Sequence, residues 1–220
     1  MIPRTIHCCW FGSRKTKLAE ECLASWRRFA PGWEIREWGL GDMLALSPPQ
    51  FVKDAVAARK WAFAADWLRF KVLCDHGGVY MDCDVELVAP LAVDGEFVAG
   101  EWLPDGTIAI GASTIALEQG SAVASAMLAR YAEIPFGSDC TVGERLGEVL
   151  REAGLPLEVM PPEVFCPIDV EGRLHRTERT VGIHRCAMSW CGCRRRFARW
   201  LSWHGMRPLV DLALWARGRR

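Results

Sequence analysis

Two aspartates one residue apart, Asp82 and Asp84 in the segment Tyr80-Met81-Asp82-Cys83-Asp84, follow a run of strand-forming residues. Carboxylates at the end of a buried strand are costly unless something compensates their charge. A divalent cation does so: Mg²⁺ and Mn²⁺ take oxygen ligands and commonly bridge carboxylates to phosphates, stabilising charge that builds on a departing phosphate. A bare Asp-x-Asp also reads as a solvated strand end, so its surroundings matter. Asp66 and Arg69 stand three apart just upstream, a spacing that puts both on one face of a helix. Toward the other end, His184, Ser189 and Trp190 add a second polar and aromatic group. Cys186, Cys191 and Cys193, with His184 and His204 near, offer soft ligands. Structural zinc sites pair their ligands two to four residues apart, and this irregular spacing reads instead as buried or incidental thiols.

The elements that must position these residues follow from pattern. Thr5 to Trp10 is a short apolar strand with Trp10 at its tip, closed by the turn signal Phe11-Gly12-Ser13. Lys17 to Phe29 spaces Leu18, Cys22, Leu23, Trp26 and Phe29 as a helix, stopped by Pro31-Gly32. Trp33 to Trp38 alternates with period two, giving a β-α-β opening and hence a parallel sheet. From Val52 to Asp75 the absence of Gly and Pro predicts one helix, stopped at Gly77-Gly78. Val79 to Val88 reads as a strand with Tyr80, Asp82, Asp84 and Glu86 on one side. Further strands are expected at Phe97 to Gly100 and Thr107 to Ile110, and further helices at Gln119 to Ile134 and Val142 to Glu152.

The 220 residues, 50% of them hydrophobic, suffice for one cored domain. Lys+Arg and Asp+Glu are both 27, so no global charge suggests a nucleic-acid partner. No apolar stretch reaches the roughly 18 residues that span a bilayer, and the start has no signal-peptide pattern; a cytoplasmic location is the expectation. Ten scattered cysteines in a chain with ample core read as reduced, mostly buried thiols. The one distinct region is residues 194–220, where Arg194, Arg195, Arg196, Arg199, Arg207, Arg217, Arg219 and Arg220 alternate with Trp200, Trp203, Trp215 and leucines. Such a helical extension suits either peripheral contact with an anionic membrane or packing on the domain with its arginines solvated. Residues 1–193 are read as the main domain.

In order, the blocks Ile2-Pro3-Arg4-Thr5-Ile6-His7-x-x-Trp10-Phe11-Gly12, Ala65-Asp66-x-x-Arg69-x-x-x-Leu73-x-x-x-Gly77-Gly78-x-Tyr80-x-Asp82-x-Asp84 and Ile183-His184-x-x-x-x-Ser189-Trp190 bracket residues 2 to 190. They resemble glycosyltransferase family 32, which is similar in its core to the clostridial glucosylating toxins. The resemblance implies an α/β GT-A nucleotide-diphospho-sugar transferase fold with a central, mostly parallel sheet flanked by helices. It implies a retaining, Mn²⁺- or Mg²⁺-dependent enzyme that moves a sugar from a UDP- or GDP-sugar to a glycan or lipid-linked acceptor in surface polysaccharide or glycolipid synthesis. Trp10 matches the base-stacking aromatic, Asp66 and Arg69 the residues on ribose or sugar hydroxyls, and Tyr80, Asp82 and Asp84 the donor and metal positions. Asp82, Asp84 and Arg69 are thereby the catalytic candidates; His184 matches a position that completes the metal shell. Ser189 and Trp190 match the element that closes over the pyrophosphate.

Retention by covalent double displacement and by front-face attack within an ion pair both remain open, the second favoured because no unassigned carboxylate stands out as a nucleophile. Two departures bear on the donor site. His184-Arg185-Cys186 replaces a His-His-Trp start, weakening the aromatic lid, and Ile108-Ala109-Ile110-Gly111 lacks an Asn before its glycine. A noncatalytic nucleotide-sugar-binding module and a zinc-stabilised adaptor are the alternatives of other classes.

Overall fold

Strand β1 (Thr5–Cys9) is the buried apolar run, one residue shorter than its pattern, with Trp10 leaving the ladder while its N–H still reaches the Trp38 carbonyl. The structure, a computed structural model, describes residues 1–12, 14–137 and 140–187. Helix α1 (Lys17–Phe29) has the bounds its periodicity predicts: Thr16 accepts the Ala19 N–H at the start, and Arg27 and Arg28 sit in the last turn, where cations oppose the helix dipole. It buries Cys22, Leu23 and Trp26 and returns the chain to β2 (Glu34–Trp38), which pairs parallel with β1 from Thr5 opposite Glu34 to Cys9 opposite Trp38.

After the short α2 (Leu40–Ala45), the expected single helix from Val52 to Asp75 is two: α3 (Gln50–Ala57) and α4 (Trp61–His76). The break falls on Arg59, which takes a left-handed φ of 54°, with the Lys60 N–H donating to the Ala55 carbonyl. Neither Gly nor Pro announces it. Bending there lets Phe51 and Val52 of α3 join Trp67, Leu68 and Phe70 of α4 in one core, and that burial outweighs the strain of a left-handed residue. Gly77 ends α4 at φ 62°, its N–H on the Leu73 carbonyl. At Gly78 (φ 111°) a Cβ would lie 2.5 Å from the Thr5 carbonyl oxygen, so the chain passes against β1 there without room for a side chain.

The strand expected unbroken from Val79 to Val88 is also two, β3 (Gly78–Met81) and β4 (Val85–Leu87). A turn at Asp82-Cys83-Asp84, closed by the Val85 N–H on the Asp82 carbonyl at 2.9 Å, separates them. The simple alternation of Tyr80, Asp82, Asp84 and Glu86 therefore does not run through. The reason is tertiary: β3 stays in the main sheet, while β4 is held on α1 by Trp26 Nε1 donating to the Val85 carbonyl and by Ser25 Oγ accepting the Leu87 N–H. There β4 pairs antiparallel with β8 (Gly182–His184), Val85 opposite His184.

Strands β5 (Phe97–Trp102) and β6 (Ile108–Leu117) form a hairpin longer than their sequence signals. Helices α5 (Ala122–Glu133) and α6 (Val142–Ala153), strand β7 (Glu158–Met160) and the short α7 (Pro162–Phe165) complete the chain; β7 and α7 were not anticipated. Thr141 and Glu144 cap α6 reciprocally. The six-stranded sheet has the order β2-β1-β3-β6-β5-β7, with only β6 antiparallel to its neighbours. Apolar layers lie on both faces, one built with α3 to α6 and the other with α1, β4 and α7. This is the mixed α/β, mostly parallel sheet flanked by helices that the resemblance implies. Among the described residues no helix is long and apolar enough to cross a membrane. Ser189, Trp190, Cys191, Cys193, His204 and the extension 194–220 lie outside the described residues.

Candidate active site

The turn between β3 and β4 sits at the C-terminal end of a central strand, a place where open α/β sheets commonly bind ligands. Asp82 is fixed from three sides. Its N–H donates to the Ser113 carbonyl, its Oδ1 accepts the Tyr80 hydroxyl at 3.0 Å, and Arg69 Nη2 lies 3.7 Å from that same oxygen. Asp84 faces the other way, onto β8. Its Oδ2 accepts the Ala187 N–H at 2.7 Å, and its Oδ1 lies 3.4 Å from His184 Nε2. Ligand atoms of Asp82, Asp84 and His184 all fall within 4.8 Å of one another. The β4–β8 ladder, which sets Val85 opposite His184, is what brings a histidine a hundred residues away onto this turn.

Arg69 is the hub beneath. Its Nη2 donates to Asp66 Oδ1 at 2.7 Å, its Nη1 to the Ala112 carbonyl at 2.6 Å, and its guanidinium lies 4.8 Å from the Tyr80 ring centroid. The carbonyl it uses belongs to a residue with φ 60°, a left-handed alanine that turns the β6 backbone toward the arginine. Sequence reasoning missed Ala112, Ser113 and Ala187 because each contributes through its backbone, which side-chain identity does not advertise. It also missed Cys9, whose Sγ lies 3.2 Å from the Tyr80 hydroxyl.

Burial is the largest single influence on each of these groups and decides the direction for two of them. It lifts Asp66 from 3.8 to about 6 even though Arg69 pulls the other way. Burial likewise raises Asp82, with Arg69 again opposing and Asp84 reinforcing. For Asp84 burial is overcome by His184 and by the Ala187 N–H, and the carboxyl stays below its ordinary value. Burial opposes the charge on His184, but the neighbouring Cys186 sulfur and Asp84 outweigh it and hold the imidazole well above an ordinary histidine. Arg69 keeps its proton because Asp82, Tyr80 and Asp66 outweigh its burial. The result is an anionic rim, Asp82 and Asp84, backed by one buried guanidinium and by an imidazole that would give up its proton on binding a metal ion.

The donor set fits a hard divalent cation. Two carboxylates and an imidazole converge, and adjacent ligands around an ion at about 2.1 Å stand about 3 Å apart, within reach of small side-chain movements. The side chains of Asp82 and Asp84 are 29% and 20% exposed, so the turn opens to solvent.

Trp10 is placed apart from this cluster. It lines a cleft of about 520 Å³ with Gly12, Arg14, Lys15, Glu37, Trp38 and Gly39, and neither Asp82 nor Asp84 borders that cleft. Trp10 Nε1 is buried without a hydrogen-bond partner among the described residues, and a Cβ on Gly12 would lie 2.9 Å from it, so the turn after β1 closes down on the indole. The link between cleft and cluster is Cys9, next to Trp10, whose carbonyl accepts the Cys83 thiol and whose sulfur meets Tyr80. Asp66, Arg69, Tyr80, Asp82, Asp84 and His184 thus come together, Trp10 stands beside them, and Ser189 and Trp190 are outside the described residues.

Residues 17–106 match the family described as the glycosyltransferase sugar-binding region containing DXD motif. Among solved structures, the PaToxG glycosyltransferase is similar with a TM-score of 0.55 and 18% identity, covering 69% of this chain and 70% of that one. A glycosyltransferase involved in the glycosylation of the major capsid of PBCV-1 has a TM-score of 0.50 at 12% identity, covering 83% of this chain and 93% of that one. At these identities the likeness is one of fold. None of the curated proteins matches the chain. Asp82 and Asp84 lie inside the matched region, and the fold around them is similar to that of these two glycosyltransferases.

Proposed function

We propose that the chain is a retaining, metal-dependent transferase that moves a sugar from a UDP- or GDP-sugar to a glycan or lipid-linked acceptor in surface polysaccharide or glycolipid synthesis. The convergence of Asp82, Asp84 and His184 within 4.8 Å, directly above the Arg69–Asp66 pair, carries this reading. Asp84 and His184 are the principal metal ligands and Asp82 is shared between metal and donor. An imidazole beside two carboxylates favours Mn²⁺ over Mg²⁺. When bound, the cation neutralises the diphosphate and stabilises it as a leaving group.

The chain's own groups do the rest. Asp66 accepts hydroxyls of ribose or sugar while Arg69 holds its carboxylate in place, and Tyr80 orients Asp82 by donating to Oδ1. Burial of Asp66 and Arg69 keeps water from competing for the donor's hydroxyls. Trp10 offers a flat face to the base from the wall of its cleft. Ser189 and Trp190, assigned to the pyrophosphate by the resemblance, and the basic, tryptophan-rich extension 194–220 lie outside the described residues. The enzyme acts in the cytoplasm.

Calorimetric titration of UDP- and GDP-sugars in Mn²⁺, with donor hydrolysis measured alongside, tests the proposal. Wild type binds and slowly hydrolyses a donor, and Asp84→Asn loses Mn²⁺ affinity by about tenfold or more. The proposal fails if no nucleotide sugar binds, or if Asp84→Asn holds Mn²⁺ as well as wild type does.

A further inference from the structure

Strand β6 is ten residues long, yet β3 covers only its C-terminal part, with Met81 opposite Thr114. Beyond that point β6 continues paired with β5, as far as Ile108 opposite Trp102. At about 3.3 Å per residue the hairpin overhangs the end of β3 by up to roughly 20 Å, on the side where the Asp82–Asp84 turn lies. At its tip the Trp102 and His175 rings have centroids 5.9 Å apart with their planes at 52°.

His175 is not loosely placed. Its Nε2 lies 2.8 Å from Asp169 Oδ2, and Asp169 Oδ1 accepts the N–H groups of Glu171 and Arg173 at 2.9 and 2.8 Å. The His175 N–H donates to the Pro167 carbonyl, and Ile168 bridges to Leu174. The loop starts at Cys166, whose Sγ lies 3.2 Å from Ser113 Oγ, and Ser113 is the residue whose carbonyl accepts the Asp82 N–H. One residue of β6 therefore ties both the acidic turn and the loop that carries His175.

Trp102 Nε1 is buried and has no partner among the described residues, which destabilises the fold relative to an apolar ring at that position. A phenylalanine would avoid that loss; what the indole adds is a broader face. Its ring neighbour, the His175 imidazole, is half exposed to solvent, and Leu103 and Leu174, each next in sequence to one of the two rings, have exposed side chains. An indole paired with a polar ring suits a saccharide, whose C–H faces are apolar and whose rim is hydroxylated.

We propose that Trp102 and His175 form a stacking platform for the distal sugars of an extended glycan acceptor. This rests on the glycosyltransferase reading above. The acceptor hydroxyl must reach the Asp82–Asp84–His184 cluster, whereas the platform stands up to roughly 20 Å farther along β6. A bound ring there belongs to a sugar several residues back from the growing end, which selects an oligosaccharide over a monosaccharide.

The test uses full-length protein labelled with 5-fluorotryptophan, with the Trp102 fluorine resonance assigned from Trp102→Phe. It is titrated with neutral hexasaccharides of glucose, galactose, mannose and rhamnose and with the matching monosaccharides, with UDP-glucose and GDP-mannose binding in Mn²⁺ measured in parallel. At least one hexasaccharide moves the Trp102 resonance and the monosaccharides do not. Trp102→Phe and, on the exposed loop, His175→Ala each weaken that hexasaccharide about tenfold while nucleotide-sugar affinity stays unchanged. Normal nucleotide-sugar binding with a Trp102 resonance that no hexasaccharide moves, or that monosaccharides move equally, overturns the platform. Loss of all nucleotide-sugar binding in wild type overturns the underlying reading instead.

Discussion

Replacing Arg69 with methionine keeps most of the side chain's bulk but removes the positive charge on which two carboxylates depend. Arg69 Nη2 lies 2.7 Å from Asp66 Oδ1 and 3.7 Å from Asp82 Oδ1, and the side chains of Arg69 and Asp66 are only 6% and 12% exposed. Breaking a buried pair by removing one partner costs about 3–5 kcal/mol, because the remaining charge is left unpaired. The pH dependence separates this cause from simple loss of packing. Burial already lifts Asp66 from 3.8 to about 6 with Arg69 restraining it, a rise worth about 3 kcal/mol at neutral pH. Without Arg69 the carboxyl rises further. A carboxyl whose folded-state value exceeds its unfolded value favours the fold at low pH, and that advantage is lost as pH rises through the folded value. The gap between Arg69→Met and wild type is therefore widest at neutral pH and above, narrows as pH falls toward about 6, where Asp66 binds a proton and needs no cation, and stays constant below that. Urea unfolding of variant and wild type at neutral pH and again near pH 5 reads this directly, and the difference cancels groups that titrate alike in both. A neutral-pH loss under about 1 kcal/mol, the range of exposed pairs, or an equal loss at both pH values, would refute the reasoning.

Two further outcomes follow from the frame around the site. His7 is fully buried, with Nε2 2.9 Å from the Gly77 carbonyl and Nδ1 accepting Trp38 Nε1–H at 3.1 Å, and burial drives it from 6.5 down to about 4. The unfolded chain binds this proton below 6.5 and the folded one does not, so wild type loses about 3 kcal/mol between pH 7 and 4 through His7. His7→Phe lacks that slope, and its stability gap to wild type should narrow by about that amount in parallel unfolding curves. At Gly78, alanine would place a Cβ 2.5 Å from the Thr5 carbonyl oxygen at φ 111°. Gly78→Ala should lose about 3 kcal/mol or more in thermal or urea unfolding; an unchanged midpoint would contradict the close approach of β3 to β1.

Much of the candidate cluster was legible because it is written in side chains at short range. Asp66 and Arg69 three apart on α4 pair as helical spacing requires, and Gly77 stops that helix at positive φ as a C-terminal glycine should. The β1-α1-β2 opening was likewise legible, since an apolar run, a helical stripe and an alternating segment each satisfy their own period. What misled the pattern was continuity. Residues 52–75 and 79–88 each read as one element because local propensity carries no information about which core a segment must reach. Arg59 and the Asp82–Asp84 turn break them where a straight element could not reach both of its partners.

Side-chain identity by itself determined the chemistry on offer: two carboxylates after a strand, a helical acid–base pair, a tryptophan at a strand tip and a distant histidine. Only the tertiary structure decided how they meet. Folding β4 away from the main sheet onto β8 turned a supposed alternating strand into a turn with Asp82 facing Arg69 and Asp84 facing His184. It also set Trp10 in a neighbouring cleft rather than over the carboxylates. The physical reason is that charge compensation and backbone hydrogen bonding are local requirements with nonlocal solutions: Ala112, Ser113 and Ala187 satisfy them through peptide groups that every residue carries.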